Sequence, residues 1–331
     1  YPAGLAVTSD SKRLVVADQL ADAVSVIDLA TNKIQTTHIG HRPVWVTLSK
    51  DSTKAFVSSQ GGADVAEVDI TKSQPLATHK INVDFHPNKS VLTPDGKSLY
   101  VANGDADTIS VVDVTSHRQT ATIPVNRNGS KLVGANPTGL AFSQDGKRLY
   151  VTNSGHNEVA VINVATRKVI GDIPTGWYPT QVLAHGRKLS ITSAKGLGAG
   201  PNNGPGHPNP TDPRDTAENQ YSGSMIKGLL STVSEPDAAT LAKLTATVEK
   251  NNTANDPARS SAVPNQIGTT SSKIKHVIYI VRENRTFDQE LGSNGRGNAD
   301  PSLNLFGDES APNTRAPVSY THLTLPTKRI V

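Results

Sequence analysis

Short runs of alternating hydrophobic and polar residues occupy most of the first 175 residues, and clusters of turn-forming residues separate them. In the segment 143–175, an Asp-Gly pair precedes the apolar run 149–151, and a polar turn separates that run from a second one at 159–164. Alternation with a period of two is typical of half-buried β-strands. Asp-Gly between two such runs indicates a hairpin, because glycine adopts a positive φ without steric cost. The pattern therefore predicts β-strands joined by tight turns.

The pattern of strands and turns is repeated along the chain. Copies of one unit cover 8–40, 49–81, 93–125 and 143–175, and a fifth copy begins at 179–196. The hairpin aspartate recurs at Asp10, Asp51, Asp95 and Asp145, with spacings of 41, 44 and 50 residues. A four-stranded repeat of this length is typical of a β-propeller blade. Blades must stack side by side to bury their faces. We therefore predict an all-β fold, a β-propeller of four-stranded blades with about five blades present.

Several polar residues occupy the same position in successive copies. They are Asp28, Asp69, Asp113 and Asn163 at one position, and Asn103 and Asn153 at another. A catalytic residue is seldom needed in every copy of a repeat, whereas every turn needs a hydrogen-bonding side chain. We interpret these residues as part of the structural framework.

Residues that differ between copies at one loop are better candidates for ligand binding. Just before the proline that starts each copy, the sequence has Arg42, His86, Trp177 and Tyr178. In a propeller this connection lies near one mouth of the central channel, where side chains from several blades converge. Aromatic, histidine and arginine side chains there would suit an anionic or polar small molecule, or a protein ligand. The alternative is ordinary packing at the start of each blade.

The chain changes character after the fifth copy. Glycine, proline and asparagine dominate 196–216, and we predict an insertion at 196–222 within the fifth blade, with the propeller ending at 234. A helix follows Ser234, with Leu241, Leu244 and Val248 on one face. The segment 235–272 is predicted to be a helical connector and linker.

An apolar run at 277–281 ends in charged and amide side chains, among them Glu283 and Asn284. A continuous apolar run suits a strand covered on both faces, as in a parallel sheet with helices on each side. Ligands in such sheets gather beyond the carboxyl ends of the strands. The residues after 272 therefore indicate the start of a second domain, a short α/β segment.

Two stretches of the sequence resemble known families. "LYVTN" with "AVINVAT", and "LYVAN" with "SVVDVTS", resemble the YVTN-type bacterial β-propeller repeat across residues 1–234. Such propellers usually have seven blades, so the resemblance implies a parent of seven blades. The chain opens at Tyr1 within a repeat, and we expect it to be a fragment at both ends.

The segment "HVIYIVRENRTFDQELG" resembles the opening of the metal-dependent phosphoesterases, a branch of the alkaline-phosphatase-like superfamily, some of which carry a YVTN propeller on the same polypeptide. The resemblance implies that Glu283 and Asn284 bind a divalent metal ion of unknown identity, that the parent protein hydrolyses phosphate esters, and that it is periplasmic or secreted. Carboxylate and amide oxygens suit such an ion. The nucleophile is expected downstream, so 273–317 would be the inactive N-terminal fragment of that domain. The tail 318–331 resembles translated sequencing adaptor, the alternative being an ordinary polar tail.

Composition excludes several classes of function. The chain has no cysteine, which rules out disulfides, zinc–thiolate sites and thiol nucleophiles. Its net charge is +4, but lysine and arginine are dispersed, so we expect no nucleic-acid partner. No apolar run is long enough for a transmembrane segment. The alternative to a phosphoesterase fusion is a non-enzymatic binding or scaffold propeller. A third hypothesis, a lactonase-like or redox propeller enzyme, lacks support because the ten histidines are scattered.

Overall fold

The computed structural model describes residues 1–126, 134–197, 228–253, 285–294, 300–305 and 309. The chain divides into two compact units: unit 1 contains residues 1–200 and 226–251, and unit 2 contains residues 201–225 and 252–331. The described part of unit 1 is five antiparallel sheets and one helix, and that of unit 2 is a short helix with 3₁₀ turns.

The five sheets of unit 1 are here called blades 1 to 5, and each is built from consecutive strands. Blade 1 contains β1 (Pro2–Val7), β2 (Arg13–Asp18), β3 (Ala23–Asp28) and β4 (Ile34–His38). Blade 2 contains β5 (Pro43–Leu48), β6 (Lys54–Ser59), β7 (Asp64–Asp69) and β8 (Leu76–Asn82). Blade 3 contains β9 (Pro87–Leu92), β10 (Ser98–Asn103), β11 (Thr108–Asp113) and β12 (Arg118–Pro124). Blade 4 contains β13 (Pro137–Phe142), β14 (Arg148–Asn153), β15 (Glu158–Asn163) and β16 (Lys168–Pro174). Blade 5 contains β17 (Pro179–His185), β18 (Lys188–Ser193) and β19 (Leu229–Ser234).

The first strands of successive blades lie next to one another, β1 beside β5, then β9, β13 and β17 in turn. The last strand of each blade lies farthest from this inner row. Each blade is thus a sheet that presents one face to its neighbour, which is the side-by-side stacking of a β-propeller. The prediction of an all-β propeller with five blades is confirmed.

The hydrophobic core lies between the blades, and each cluster of buried side chains joins neighbouring sheets. Val15 of blade 1 packs with Val57 of blade 2, and Ile109 of blade 3 packs with Leu149 of blade 4. Most of these side chains are Val, Ala, Leu and Ile, as expected from an aromatic content of only 4%. The blades therefore depend on one another for burial of their apolar faces.

The predicted hairpin between the first two strands of a blade is formed as the sequence indicates. In blade 3, Asp95 Oδ1 accepts hydrogen bonds from Thr93 Oγ1 (2.6 Å) and from Lys97 N (3.0 Å), and Gly96 has a φ of 75°. These two hydrogen bonds lower the pKa of Asp95 below its ordinary value. The aspartates of the other hairpins make the same pair of contacts: Asp10, Asp51 and Asp145.

The recurring polar residues at the end of the third strand, Asp28, Asp69, Asp113 and Asn163, also stabilise turns. Asp113 Oδ1 accepts hydrogen bonds from the backbone N–H groups of Thr115 (3.1 Å) and Ser116 (2.7 Å). Equivalent turn contacts are made by Asp28, Asp69 and Asn163. Their interpretation as framework residues is confirmed, because each carboxylate or amide closes the turn in which it lies.

Blade 5 differs from the other four. β19 pairs with β18, and the described blade has three strands. The chain then enters helix α1 (Ala238–Thr253), which starts later than predicted because Asp237 Oδ1, not Ser234, accepts from Thr240 N (2.7 Å). A proline and an N-capping aspartate after β19 favour a helix start over a further strand.

Helix α1 packs against blades 4 and 5 within unit 1. Leu241 and Val248 are buried, and Leu244 is partly buried against the same cluster, as the apolar face predicted. Thr245 Oγ1 accepts a hydrogen bond from the backbone N–H of Asp172 on β16 (2.8 Å). The helix therefore covers the outer edge of blade 4.

Unit 2 is described over a short capped helix. In α2 (Phe287–Leu291), Thr286 Oγ1 accepts from Gln289 N (3.3 Å) and Gln289 Oε1 accepts from Thr286 N (3.3 Å), a capping box. The predicted strand at 277–281, both predicted metal ligands (Glu283 and Asn284), most of the insertion at 196–222 and the tail 318–331 lie outside the described residues. Among the helices that the structure describes, none is long and apolar enough to cross a membrane.

Candidate ligand-binding site

The first strands of blades 2 to 5 each begin with a proline, and the residues after these prolines converge on the propeller axis. They line a cavity of about 190 Å³, whose walls are Val44, Trp45, Asn88, Lys89, Thr138 and Thr180. Four blades contribute to it because β5, β9, β13 and β17 lie side by side. Repetition of the blade thus brings residues that are about 45 positions apart in sequence into one pocket, here called the axial pocket.

Lys89 crosses the axial pocket. Its Nζ atom donates hydrogen bonds to the carbonyl of Thr180 (3.0 Å) and to Oε1 of Gln181 (2.8 Å), both on β17, two blades away. The same atom lies 5.1 Å from the centroid of the Trp45 ring. In blade 4, which lies between, the equivalent position is Gly139, which has no side chain to block the lysine.

The ammonium group of Lys89 carries a charge in a confined site. Burial lowers its pKa from 10.5 to about 8, so the group is still mostly protonated at neutral pH. Within the part of the chain that the structure describes, it forms no ion pair with a carboxylate; its partners are a carbonyl, an amide and an aromatic face. A partly buried cation whose partners among the described residues are dipoles favours a negatively charged ligand.

The polar walls of the axial pocket are held in place by neighbouring blades. Asn88 Oδ1 accepts from Gln60 Nε2 (2.8 Å), and Asn88 Nδ2 donates to the carbonyl of Pro137 (3.1 Å). Thr138 Oγ1 donates a hydrogen bond to the carbonyl of Pro179 in blade 5 (3.3 Å). These contacts fix the side chains before a ligand arrives, which lowers the entropic cost of binding.

The predicted mouth residues lie at the start of the inner strands. Arg42, His86 and Tyr178 each precede a proline and have a positive φ, between 52° and 58°. The N–H groups of Arg42 and Tyr178 donate to Oδ1 of Asp22 and Asn157 in the preceding blade, each at 2.8 Å. The backbone of this loop is therefore a junction between blades, whatever its side chains bind.

Two of the four predicted mouth residues, His86 and Tyr178, lie on the same part of the channel rim. Tyr178 Oη accepts a hydrogen bond from Asn136 Nδ2 (3.3 Å). A methyl group on Gly104 would meet Asn136 Oδ1 and Asn88 Nδ2 at 2.8 Å and the His86 ring at 3.4 Å, so these side chains surround that glycine. Trp177, the residue before Tyr178, is 56% exposed, and Arg42 directly precedes β5 of blade 2. Ligand contacts by Arg42, His86, Trp177 and Tyr178 stay predictions.

Sequence reasoning missed Lys89. A usable signal for Lys89 was present: counted from the proline, the third residue of the inner strand is Gly4, Trp45, Lys89, Gly139 and Gln181 in the five blades. One lysine among four neutral residues at a position that lines the channel indicates that blade 3 places a positive charge there.

A larger groove of about 670 Å³ lies between the hairpins that join the first two strands of blades 4 and 5 and the start of α1. The Arg148 guanidinium bridges it by donating to the carbonyl of Pro236 (2.6 Å). Asp145 is engaged in the hairpin contacts that the other blades repeat. The polar side chains of the groove are thus used to hold the helix start and the hairpin. The axial pocket is the better candidate for ligand binding.

Comparison with known proteins agrees with this architecture. The sequence model of the family described as "Lactonase, 7-bladed beta-propeller" matches residues 64–168, from the start of β7 to the start of β16. The seven-bladed β-propeller protein Rv1057 of Mycobacterium tuberculosis is 31% identical over 120 residues, which are 34% of this chain. The match covers 30% of that protein, so the chain spans under a third of this curated relative.

Hydrazine synthase of Kuenenia stuttgartiensis has a similar structure, with a TM-score of 0.51 and 23% identity over 58% of this chain and 55% of that chain. Unit 1 has the β-propeller fold. The β-propeller domain of Cps50 (Swd1) from Myceliophteria thermophila has a TM-score of 0.49 and 15% identity over 58% of this chain and 64% of its own. At these identities the structural likenesses concern the fold alone.

Proposed function

We propose that unit 1 is a ligand-binding β-propeller whose axial pocket takes a small organic or inorganic anion. The observation that carries this proposal is the Lys89 ammonium group, which lies in the pocket without a carboxylate partner among the described residues. Two of its three N–H donors have acceptors among the described residues, so the ammonium can donate one more hydrogen bond to a ligand that lies against the Trp45 ring. The cavity, about 190 Å³, is below the ~300–1,000 Å³ typical of sites for drug-sized molecules. A short carboxylate or inorganic phosphate fits this size.

The match to a lactonase family model adds a class of anion to consider, since hydrolysis of a lactone yields a hydroxycarboxylate. Among the described residues that line the axial pocket there is no carboxylate or histidine to act as a general base. The side chains of Asn88, Thr138 and Trp45 can instead hold a hydroxycarboxylate by hydrogen bonds and an apolar face. We therefore propose binding of such an anion, and not its formation, as the function of this pocket.

Replacement of Lys89 by methionine is expected to weaken anion binding by roughly 10- to 100-fold, the range for one hydrogen bond to a charged group. Calorimetric titration of the full chain with acetate, 4-hydroxybutyrate and inorganic phosphate measures this change. Binding to the unaltered chain should also weaken as the pH rises through about 8, because the free lysine then loses its proton and its charge.

The matched control is Lys33→Met, an exposed lysine in the last turn of blade 1, which should leave binding unchanged. Equal affinity in Lys89→Met and the unaltered chain would overturn the proposal. Turnover of a lactone by the chain that is lost in Lys89→Met would replace the binding function by a catalytic one.

We also propose that the chain is the propeller portion of an extracytoplasmic phosphoesterase, with a divalent metal ion bound by Glu283 and Asn284. The supporting observation is that α2 begins at Phe287 with Thr286 as its N-cap, so any strand before it has ended by Arg285. Adjacent residues of a strand point to opposite faces, and both reach one metal ion only where the strand turns. The N-cap at Thr286, two residues after Asn284 in the sequence, supports such a turn.

This second proposal predicts that the chain itself lacks phosphatase activity, because the nucleophile and the remaining ligands belong to sequence further downstream. Hydrolysis of p-nitrophenyl phosphate is to be measured with added Mg²⁺, Ca²⁺, Mn²⁺ or Zn²⁺. Metal-dependent turnover that is lost in Glu283→Ala would contradict the predicted inactivity. A genomic reading frame that continues without a Ser or Thr nucleophile and further Asp and His residues would contradict the fusion.

A further inference from the structure

Glu67, His79 and His117 form a cluster, here called the His–Glu cluster, between blades 2 and 3. Glu67 lies on β7, His79 on the neighbouring β8, and His117 in the turn before β12. Glu67 Oε1 is 3.3 Å from His79 Nδ1, and Glu67 Oε2 is 3.1 Å from His117 Nε2. One donor atom from each of the three side chains lies within 4.8 Å of the other two.

The carboxylate of Glu67 is fully buried and charged. Burial alone would raise its pKa, but hydrogen bonds from Lys54 and Thr78 and the charge of Lys54 outweigh burial, and the pKa is lowered below its ordinary value. Lys54 Nζ lies 2.9 Å and Thr78 Oγ1 2.8 Å from Glu67 Oε1. An anion is thus maintained in the protein interior at neutral pH.

The two imidazole rings approach this anion from the solvent side. Their centroids are 3.6 Å apart and the ring planes differ by 8°. The side chain of His79 is 46% exposed and that of His117 is 22% exposed, so a small ion reaches the cluster without opening the core. His117 is held by a backbone φ of 55°, in the left-handed region that is uncommon for residues other than glycine.

We propose that the His–Glu cluster binds a divalent transition-metal ion of the Zn²⁺ class. Two imidazole nitrogens and one carboxylate oxygen are a ligand set that Zn²⁺ uses in proteins, with water in the fourth position. Nitrogen ligands favour Zn²⁺, Co²⁺ and Ni²⁺ over Mg²⁺ and Ca²⁺. The exposure of His79 leaves room for that water.

Binding requires small side-chain rearrangements. A metal–nitrogen bond lies close to the plane of its imidazole ring, so the stacked rings of His79 and His117 tilt apart around the ion. Lys54 leaves Glu67 Oε1 because two cations would otherwise share that oxygen, and its side chain is 40% exposed and free to move into solvent. Thr78 Oγ1 retains its hydrogen bond to the carboxylate and orients it as an outer-shell partner.

The site would connect two blades. Glu67 and His79 belong to blade 2, whereas His117 belongs to blade 3, 50 residues after Glu67. An ion that binds only the folded arrangement stabilises it in proportion to the logarithm of its concentration over Kd. Zn²⁺ should therefore raise the unfolding temperature, and a chelator should reverse the effect.

The test uses the full chain without an affinity tag, treated with a chelator and then dialysed. Calorimetric titration with Zn²⁺ and absorbance titration with Co²⁺ give the stoichiometry, affinity and coordination. We expect one ion at this site per chain, and an affinity lowered by at least about 10- to 100-fold in His79→Ala and in His117→Ala, the range already seen for loss of outer-shell partners. Mg²⁺ should not bind there.

His185→Ala, at an exposed histidine that ends β17, is the matched control and should bind the ion as the unaltered chain does. Unfolding temperatures recorded without metal establish that each variant is folded. Unchanged affinity in both His79→Ala and His117→Ala overturns the proposal. Binding that is lost only in Glu283→Ala also overturns it, because the ion then belongs to unit 2.

Discussion

Substitution of Gly139 by valine is expected to destabilise unit 1 by about 3 kcal/mol, because it overpacks a position with no space for a side chain. A Cβ atom at this position would lie 2.8 Å from Gln181 Cα and 2.9 Å from Thr152 Oγ1. The first neighbour is backbone and cannot rotate away. The inner strands β13 and β17 must therefore separate, and the free energy of unfolding in urea should fall accordingly.

The strand contact at Gly139 has a counterpart in blade 1, where a Cβ on Gly4 would lie 2.5 Å from Val44 O. The control variant is Gly228→Val, since among the described residues a Cβ there would meet only Ser193 O, at 3.7 Å. This exposed substitution should change the unfolding free energy by no more than about 0.5 kcal/mol. Equal stabilities of Gly139→Val and Gly228→Val would show that the inner strands tolerate separation.

Truncation of Leu241 to alanine is expected to cost about 2–5 kcal/mol, the range for removal of a buried leucine side chain. Leu241 of α1 is buried with Tyr150 and Val161 of blade 4 and Ile191 of blade 5. A methyl group on Gly171 would come within 2.6 Å of Leu241 Cγ, so the helix lies directly on β16. The loss leaves a cavity that the rigid sheets cannot close.

Hydrogen exchange locates the effect of Leu241→Ala. Protection should fall in α1 and at the Asp172 amide, which donates to Thr245, while the amides of blade 1 keep theirs. Leu183→Ala is the matched control, because Leu183 of β17 is 59% exposed and its truncation should cost about 0.5 kcal/mol or less. Uniform loss of protection in all blades would contradict a local role for the helix.

The fold could be predicted from the sequence because its signals are local and repeated. Each hairpin has its aspartate two residues before the N–H that it binds, as with Asp95 and Lys97. The period of the repeat then indicated blades. The three-stranded fifth blade was not predicted, because the stretch after β19 starts a helix whose place depends on contacts with β16 that no local pattern encodes.

The axial pocket could not be predicted because its residues are far apart in sequence. Trp45, Lys89, Thr138 and Thr180 meet only when β5, β9, β13 and β17 are side by side. The same holds for the His–Glu cluster: the histidines look scattered along the chain, yet His79 and His117 stack across two blades. The packing of the blades around the axis decides which residues of different copies come into contact. The spacing of residues in the sequence does not show this.

The junction between successive blades bears on how such chains change in length. At three junctions an Asp or Asn in one blade accepts a hydrogen bond from the backbone N–H of the residue immediately before the proline of the next blade: Asp22 with Arg42, Asp107 with Asn136, and Asn157 with Tyr178. Blade 4 has both halves of this contact, the donor at Asn136 and the acceptor at Asn157. Duplication of such a copy by recombination would bring both halves with it, so a blade could be gained without a new residue at the junction.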